Sequence, residues 1–235
     1  MRALSLAPRA SFPSLRARAA VRFRTVVGGG LASYATTFPD TENPLSEGGR
    51  WINGLAVGLE WQDMQTGSGN CYASAINPDG FRDNAAHLIG YAPDHYIEGV
   101  VHKAGGYAPT DVHELEFLLR AICTANSFKA YEVLMDTAGN FQYVRWNGPY
   151  NDFTFSVFTD GSGAGPGTIA HDDVIRAMMV GDWLTLFKNG SQVYTARDVT
   201  AGKLTTGNPG IGSYMRGNGN VLSSFGWQSI VAGNL

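Results

Sequence analysis

The dipeptide Asn189-Gly190, set between the apolar-alternating runs 183–187 and 192–196, is the feature that most restricts what this chain can become. Both residues tolerate the positive φ of a two-residue type I′ turn, so the pair closes an antiparallel hairpin. Similar punctuation recurs at Asp79-Gly80, Asn147-Gly148-Pro149 and Asn208-Pro209-Gly210. Between such signals lie short runs that read as strands, at 97–103, 113–121, 130–136, 141–146, 153–159 and 222–231. Residues 172–180 carry the best three-four spacing in the chain and fit either a helix or a strand. Without helices to carry parallel crossovers, the expectation is an all-β, antiparallel two-sheet sandwich.

A chain of 235 residues can bury a sizeable core as one β-domain. Its 30 glycines and a charged fraction of only 16% suit short strands and tight turns rather than salt-bridged surface helices. No apolar run approaches the length that crosses a bilayer. Charge is unevenly placed. Six arginines lie in the first 24 residues and the first acid is Asp40, so taking that +6 from the net −3 leaves −9 for the remainder.

This divides the chain into a basic, extended N-terminal arm with a Gly28-Gly29-Gly30 linker, residues 1–30, and a body, residues 31–235. Arg9, Pro13, Arg16 and Arg18 interrupt every candidate secretory core, while arginine and serine without acids also suit an organellar targeting segment. Arg9, Arg16, Arg18, Arg22 and Arg24, interleaved with Phe12 and Phe23, suit docking into a groove on a protein partner at least as well as contact with phosphates. Cys71 and Cys123 lack metal-ligand spacing, and whether they pair stays open.

Three stretches carry a resemblance. They are FPDTENPLSEGGRWING at 38–54, the segment 114–149 containing YEVLMDTAGNFQYVRWNGP, and the segment 182–214 containing DWLTLFKNGSQVYTARD and GNPGIGSY. Together they resemble concanavalin A-like (laminin-G-like) lectin/glucanase jelly rolls of the kind found in bacterial and phage structural proteins. The resemblance implies a jelly-roll fold for the body and leaves function among lectins, glycan hydrolases and lyases, adhesion modules and virion proteins.

Glu114 and Glu116 are the sharpest candidates for chemistry, because residues two apart on a strand share a face. Leu118 and Arg120 would follow them, with Leu115, Phe117, Leu119 and Ala121 toward the core. Related retaining glucanases carry a third carboxylate along such a strand, needed to flank the scissile bond. Here Leu118 or Leu119 stands in its place. The alternative reading pairs the glutamates with Arg120, Arg145 or a lysine on neighbouring strands.

Trp146 and Trp61 are the candidate sugar platforms, with Gln142, Asn147, Glu114, Glu116 and Arg120 as hydroxyl-binding neighbours; the competing role for each indole is core. Trp51, Trp183 and Trp227 read as core. Asn77, Asp79, Asp83 and Asn84 offer oxygen atoms to calcium or serve as ordinary turn residues, and no metal or cofactor is assigned. The expectation is a non-catalytic jelly-roll module, anchored by its arm to a larger assembly such as a virion, with a glycan as possible ligand and nucleic acid disfavoured. The alternatives are a glycan hydrolase or lyase using Glu114/Glu116 and a cell-surface carbohydrate-binding domain.

Overall fold

The computed structural model describes residues 32–76, 83–105, 112–149, 161–216 and 221–235, and the backbone of 155–157. The arm, residues 1–30, with all its residues named above, Asn77 and Asp79, and the turn at Asp79-Gly80 lie outside the described residues.

Among the described residues fifteen strands form. In chain order they are β1 Ser33–Thr36, β2 Trp51–Asn53, β3 Met64–Gly67, β4 Asn70–Ala73 and β5 Asn84–Leu88. There follow β6 His95–Lys103, β7 His113–Thr124, β8 Ser127–Asp136, β9 Phe141–Pro149 and β10 Phe155–Val157. The last five are β11 Val174–Val180, β12 Trp183–Lys188, β13 Ser191–Arg197, β14 Asn208–Met215 and β15 Phe225–Asn234. An eight-stranded sheet runs β13-β12-β11-β6-β15-β4-β3 with β1 added on β15, and a seven-stranded sheet runs β10-β9-β8-β7-β14-β5-β2. Among the described residues every strand ladder is antiparallel, as expected of a sandwich.

The hairpin at Asn189-Gly190 forms as its sequence dictates: β12 ends at Lys188, β13 begins at Ser191, and φ is 51° at Asn189 and 80° at Gly190. Residues 172–180 resolve in favour of a strand, since β11 is hydrogen-bonded on both sides by β6 and β12. Two turn expectations are corrected. Asn147-Gly148-Pro149 continues β9 and pairs with β8, and Asn208-Pro209-Gly210 opens β14, where the register slips between Asn208 and Gly210. The glycine-rich stretch 161–167 is tied to β13: Ser162 exchanges backbone hydrogen bonds with Thr195 at 2.8 and 2.9 Å, and Gly165 N–H donates to Val193 O.

The two inner faces close on one apolar core in which Phe117 of β7 stacks on Trp227 of β15, with ring centres 4.5 Å apart. Burying aromatics of this size supplies much of the driving force, and truncating one to alanine costs about 3–5 kcal/mol. A second apolar cluster lies on the outer side of the seven-stranded sheet. There Leu59 and Trp61, from the segment after a 3₁₀ turn at Leu55–Val57, cover Ala85, Leu118, Ala130, Val144 and Trp146. Among the described residues no helix is long and apolar enough to cross a membrane.

Candidate functional site

Strand β7 carries the candidate carboxylates, and one irregularity decides their surroundings. Leu119 pairs with Tyr131 and Ile122 with Lys129, so Arg120 and Ala121 together oppose Ala130 in a β-bulge, with Arg120 at φ 53°. Shifting register by one residue exchanges the faces of a strand. Before the bulge, Leu115, Phe117 and Leu119 enter the main core while Leu118 faces outward. After it, Ala121 and Cys123 face outward into the second cluster. The expectation that Ala121 joins the main core is thereby overturned.

The bulge also turns Arg120 away from the glutamates. Its guanidinium donates to Pro93 O (3.0 Å), Leu204 O (2.6 Å), Gly181 O (2.7 Å) and Asp94 Oδ1 (3.2 Å), tying β7 to loops at the end of the other sheet. Arg145 is committed elsewhere as well, as an ion pair with Asp198. Neither arginine pairs with Glu114 or Glu116, which corrects the cross-strand pairing expected from sequence. Asn147 accepts a hydrogen bond from Arg145 Nε at 3.2 Å, which draws its side chain to the arginine and away from Trp146.

In place of an arginine, the outer face brings a third glutamate. The bulge sets Leu118 opposite Glu132 and Glu116 opposite Leu134, so Glu132 of β8 stands at the level where β7 itself has leucine. Asp83, just before β5, completes the group: oxygens of Asp83, Glu116 and Glu132 all lie within 4.8 Å of one another. Glu116 is 0% exposed, and among the described residues neither of its carboxylate oxygens has a hydrogen-bond partner. Trp146 Nε1 donates to Glu132 Oε2 at 2.6 Å.

Burial, reinforced by the charges of Asp83, Glu132 and Glu114, pushes the Glu116 carboxyl far above its ordinary range. Burial likewise pushes Glu132 up to about 7 despite the Trp146 hydrogen bond. Burial and then the Glu132 and Asp136 charges push Glu114 up to about 8.

The two candidate platforms are placed inside the protein. Trp61 is 0% exposed and Trp146 9%, the former packing against Phe128 and meeting Trp146 edge-on with centres 5.3 Å apart. Gln142 remains exposed on the same face of β9. Trp51 and Trp227 are core residues, but Trp183 is not: it is 49% exposed. Alternation along β12 explains this. Leu184 and Leu186 are buried, so Trp183, Thr185 and Phe187 project from the outer face of the eight-stranded sheet.

Register assembles that outer face in rows. Val180, Trp183 and Arg197 form one, Tyr96, Met178, Thr185 and Thr195 the next, and Glu98, Arg176 and Phe187 the third. The Arg197 guanidinium lies 5.6 Å from the Trp183 ring centre, and that of Arg176 lies 4.9 Å from the Tyr96 ring while Arg176 Nε donates to Glu98 Oε2 at 2.8 Å. A depression of about 210 Å³ opens among Glu98, Val174, Arg176, Phe187 and Gly190. The signal in the sequence was the alternation at 183–187, which the apolar neighbours of Trp183 obscured.

No family model matches this chain, and no curated protein does. Solved structures do. The κ-carrageenase from Pseudoalteromonas carrageenovora, in complex with an oligotetrasaccharide of κ-carrageenan, aligns at a TM-score of 0.52 and 9% identity, over 89% of this chain and 97% of its own. The β-porphyranase BpGH16B from the human gut bacterium Bacteroides plebeius aligns at 0.51 and 10% identity, over 89% and 94%. A carbohydrate-binding module, CBM66 from Bacillus subtilis, aligns at 0.48 and 12% identity, over 73% and 95%. At these identities the likeness establishes the fold. The body shares the two-sheet antiparallel jelly-roll fold of these structures.

Proposed function

We propose that this chain is a glycan-binding jelly-roll module without glycan-cleaving activity, and that it binds through the outer face of the eight-stranded sheet. The observation that carries the reading is Trp183, a half-exposed indole beside Arg197 on a face that also offers Tyr96, Phe187, Arg176 and Glu98. Aromatic rings stack on the apolar faces of sugars while guanidinium and carboxylate groups bind hydroxyls, and shallow sites of this make-up suit binding without reaction.

Against cleavage stands the other sheet. Leu59 and Trp61 fill part of the outer face that bears the glutamates, and Glu116 is fully enclosed. A general acid or nucleophile must come within hydrogen-bond reach of the glycosidic bond. The carriage of this module on a larger assembly by residues 1–30 belongs to the same reading.

The test is binding of the full chain, and of residues 31–235, to immobilised polysaccharides including κ-carrageenan. Both forms should bind without releasing reducing ends, and only the full chain should join an assembly. Trp183→Ala should weaken binding by about 1 kcal/mol or more, the scale of a lost aromatic contact, with an unchanged melting temperature. Binding that survives Trp183→Ala and Arg197→Ala refutes the site. Cleavage abolished by Glu114→Gln refutes the non-catalytic reading.

A further inference from the structure

The carboxylate cluster beneath Trp146 has no role in glycan binding at the opposite sheet, yet its construction is specific. Three acids from separate stretches of chain, Asp83 before β5, Glu116 on β7 and Glu132 on β8, converge until their oxygens lie within 4.8 Å of one another. Natural interiors rarely leave a buried polar side chain without a partner, and Glu116 leaves both oxygens so. Space is reserved for it as well: Gly212 faces Glu116 across the β14–β7 ladder, and a Cβ there would collide with Glu116 Oε2. From this geometry we infer that Asp83, Glu116 and Glu132 bind a single calcium ion.

The donor set selects the ion. Oxygen-only ligands suit a hard cation, whereas zinc would draw on imidazole or thiolate. The imidazole of His87, on β5, is already engaged, its Nδ1 with Leu88 O at 2.6 Å and its Nε2 with the Cys123 N–H at 3.2 Å. Two oxygens held about 2.4 Å from one ion stand at most about 4.8 Å apart, the span of this cluster.

Calcium accepts six to eight oxygens in flexible geometry and takes carboxylates in bidentate fashion. Magnesium demands a near-ideal octahedron and keeps several waters, which an enclosed pocket does not favour. Glu132 retains Oε1 for the ion while Trp146 fixes Oε2. Three carboxylates this close in a low-dielectric setting repel one another strongly, and a divalent cation turns that repulsion into a cross-link among β7, β8 and the approach to β5.

The experiment uses the full chain, stripped with EDTA and dialysed free of it. CaCl₂ is added in a calorimetric titration and, separately, in thermal melts. The expected result is one site per chain and a melting temperature that rises by about 5 °C or more at calcium a hundredfold above its dissociation constant. Glu116→Gln and Glu132→Gln should lose both responses, while Glu114→Gln keeps them. Asp83→Asn, a milder change at the edge of the cluster, should weaken binding at least tenfold and serves if the glutamine variants do not fold. The inference is overturned by absence of heat and of any shift in the wild-type chain up to about 10 mM calcium, beyond the weakest extracellular calcium modules. It is overturned equally by a response that survives Glu116→Gln, or by magnesium acting as well as calcium at equal concentration.

Discussion

Two buried groups of charge sit on either side of the seven-stranded sheet, and they are built on opposite plans. Around Arg145 every charge is matched. Its Nη1 reaches Asp198 Oδ2 and Thr200 Oγ1, and its Nε reaches Asn147 Oδ1. Asp198 in turn accepts from Tyr131 OH at 2.7 Å and from the Thr200 N–H at 2.9 Å. Around Glu116 the charges that act on it are the carboxylates of Asp83, Glu132 and Glu114, and its oxygens accept no hydrogen bond among the described residues. A network with its partners complete locks β8 and β9 to the loop after β13. The other group centres on a carboxylate, Glu116, that no hydrogen bond from the described residues satisfies.

The largest expected effect separates the two by truncation. Asp198→Ala takes from the buried Arg145 guanidinium the carboxylate that balances its charge, and should cost about 3–5 kcal/mol in urea unfolding. Glu116→Leu, measured in EDTA, should be neutral or stabilise by up to about 1–3 kcal/mol, since it removes an unsatisfied buried group. A loss below about 1 kcal/mol for Asp198→Ala, or a large loss for Glu116→Leu in EDTA, would erase the contrast.

A second effect is read from pH, and the two groups should respond with opposite sign. Burial pushes the Asp198 carboxyl up, but the Thr200 hydroxyl and N–H, Tyr131 and Arg145 outweigh it and hold it below its ordinary value of 3.8. Its stabilisation is complete above 3.8 and is lost as pH falls through the folded value. Glu132 and Glu114 are raised from 4.5 to about 7 and about 8, so their contribution is complete below 4.5 and is lost as pH rises through 7 to 8. Melting temperature in EDTA should fall between pH 5 and 8, and the fall should shrink in Glu132→Gln and Glu114→Gln. An equal fall in the variants would place its origin elsewhere.

Much of the scaffold of this comparison was legible in the chain itself. Asn189-Gly190 closed its hairpin, the runs near 97, 113, 130 and 141 became β6 to β9, and period-two alternation placed Glu114 and Glu116 on one face. The short strands β1 to β5 gave weaker local signals, being three to five residues long and held by distant partners.

The carboxylate site was half legible. Its missing half turns on the bulge at Arg120, because an unbulged β7–β8 hairpin would carry Glu132 to the core face and leave Glu116 without that neighbour. No turn residue advertises such a bulge. Trp61 misled for a related reason: its burial comes from Phe128 and Trp146, more than sixty residues away in sequence. Cys71 and Cys123 prove to be free thiols in separate clusters, one on each side of the seven-stranded sheet, a division that spacing alone does not reveal.

The smallest effect sharpens the comparison with a single methyl group on each side. At Gly202 an added Cβ would lie 3.1 Å from Arg145 Nη2, the far end of a long side chain, and Gly202 itself is exposed in a turn. The guanidinium can shift by the few tenths of an ångström required, and alanine also narrows the unfolded ensemble, so Gly202→Ala should stay within about 0.5 kcal/mol of wild type. At Gly212 the added Cβ would meet Glu116 Oε2 directly and stand 3.2 Å from Asn84 O, with strands β5 and β7 fixed on either side. The carboxylate must then rotate off its position or the ladder must part, and overpacking of this kind costs about 1–3 kcal/mol. Because the same methyl displaces a proposed calcium ligand, Gly212→Ala should also weaken the calcium-dependent rise in melting temperature, whereas Gly202→Ala should leave it whole. Equal tolerance of both substitutions, in stability and in calcium response, would mean that the Glu116 carboxylate is free to move and that the space beside Gly212 is not reserved for it.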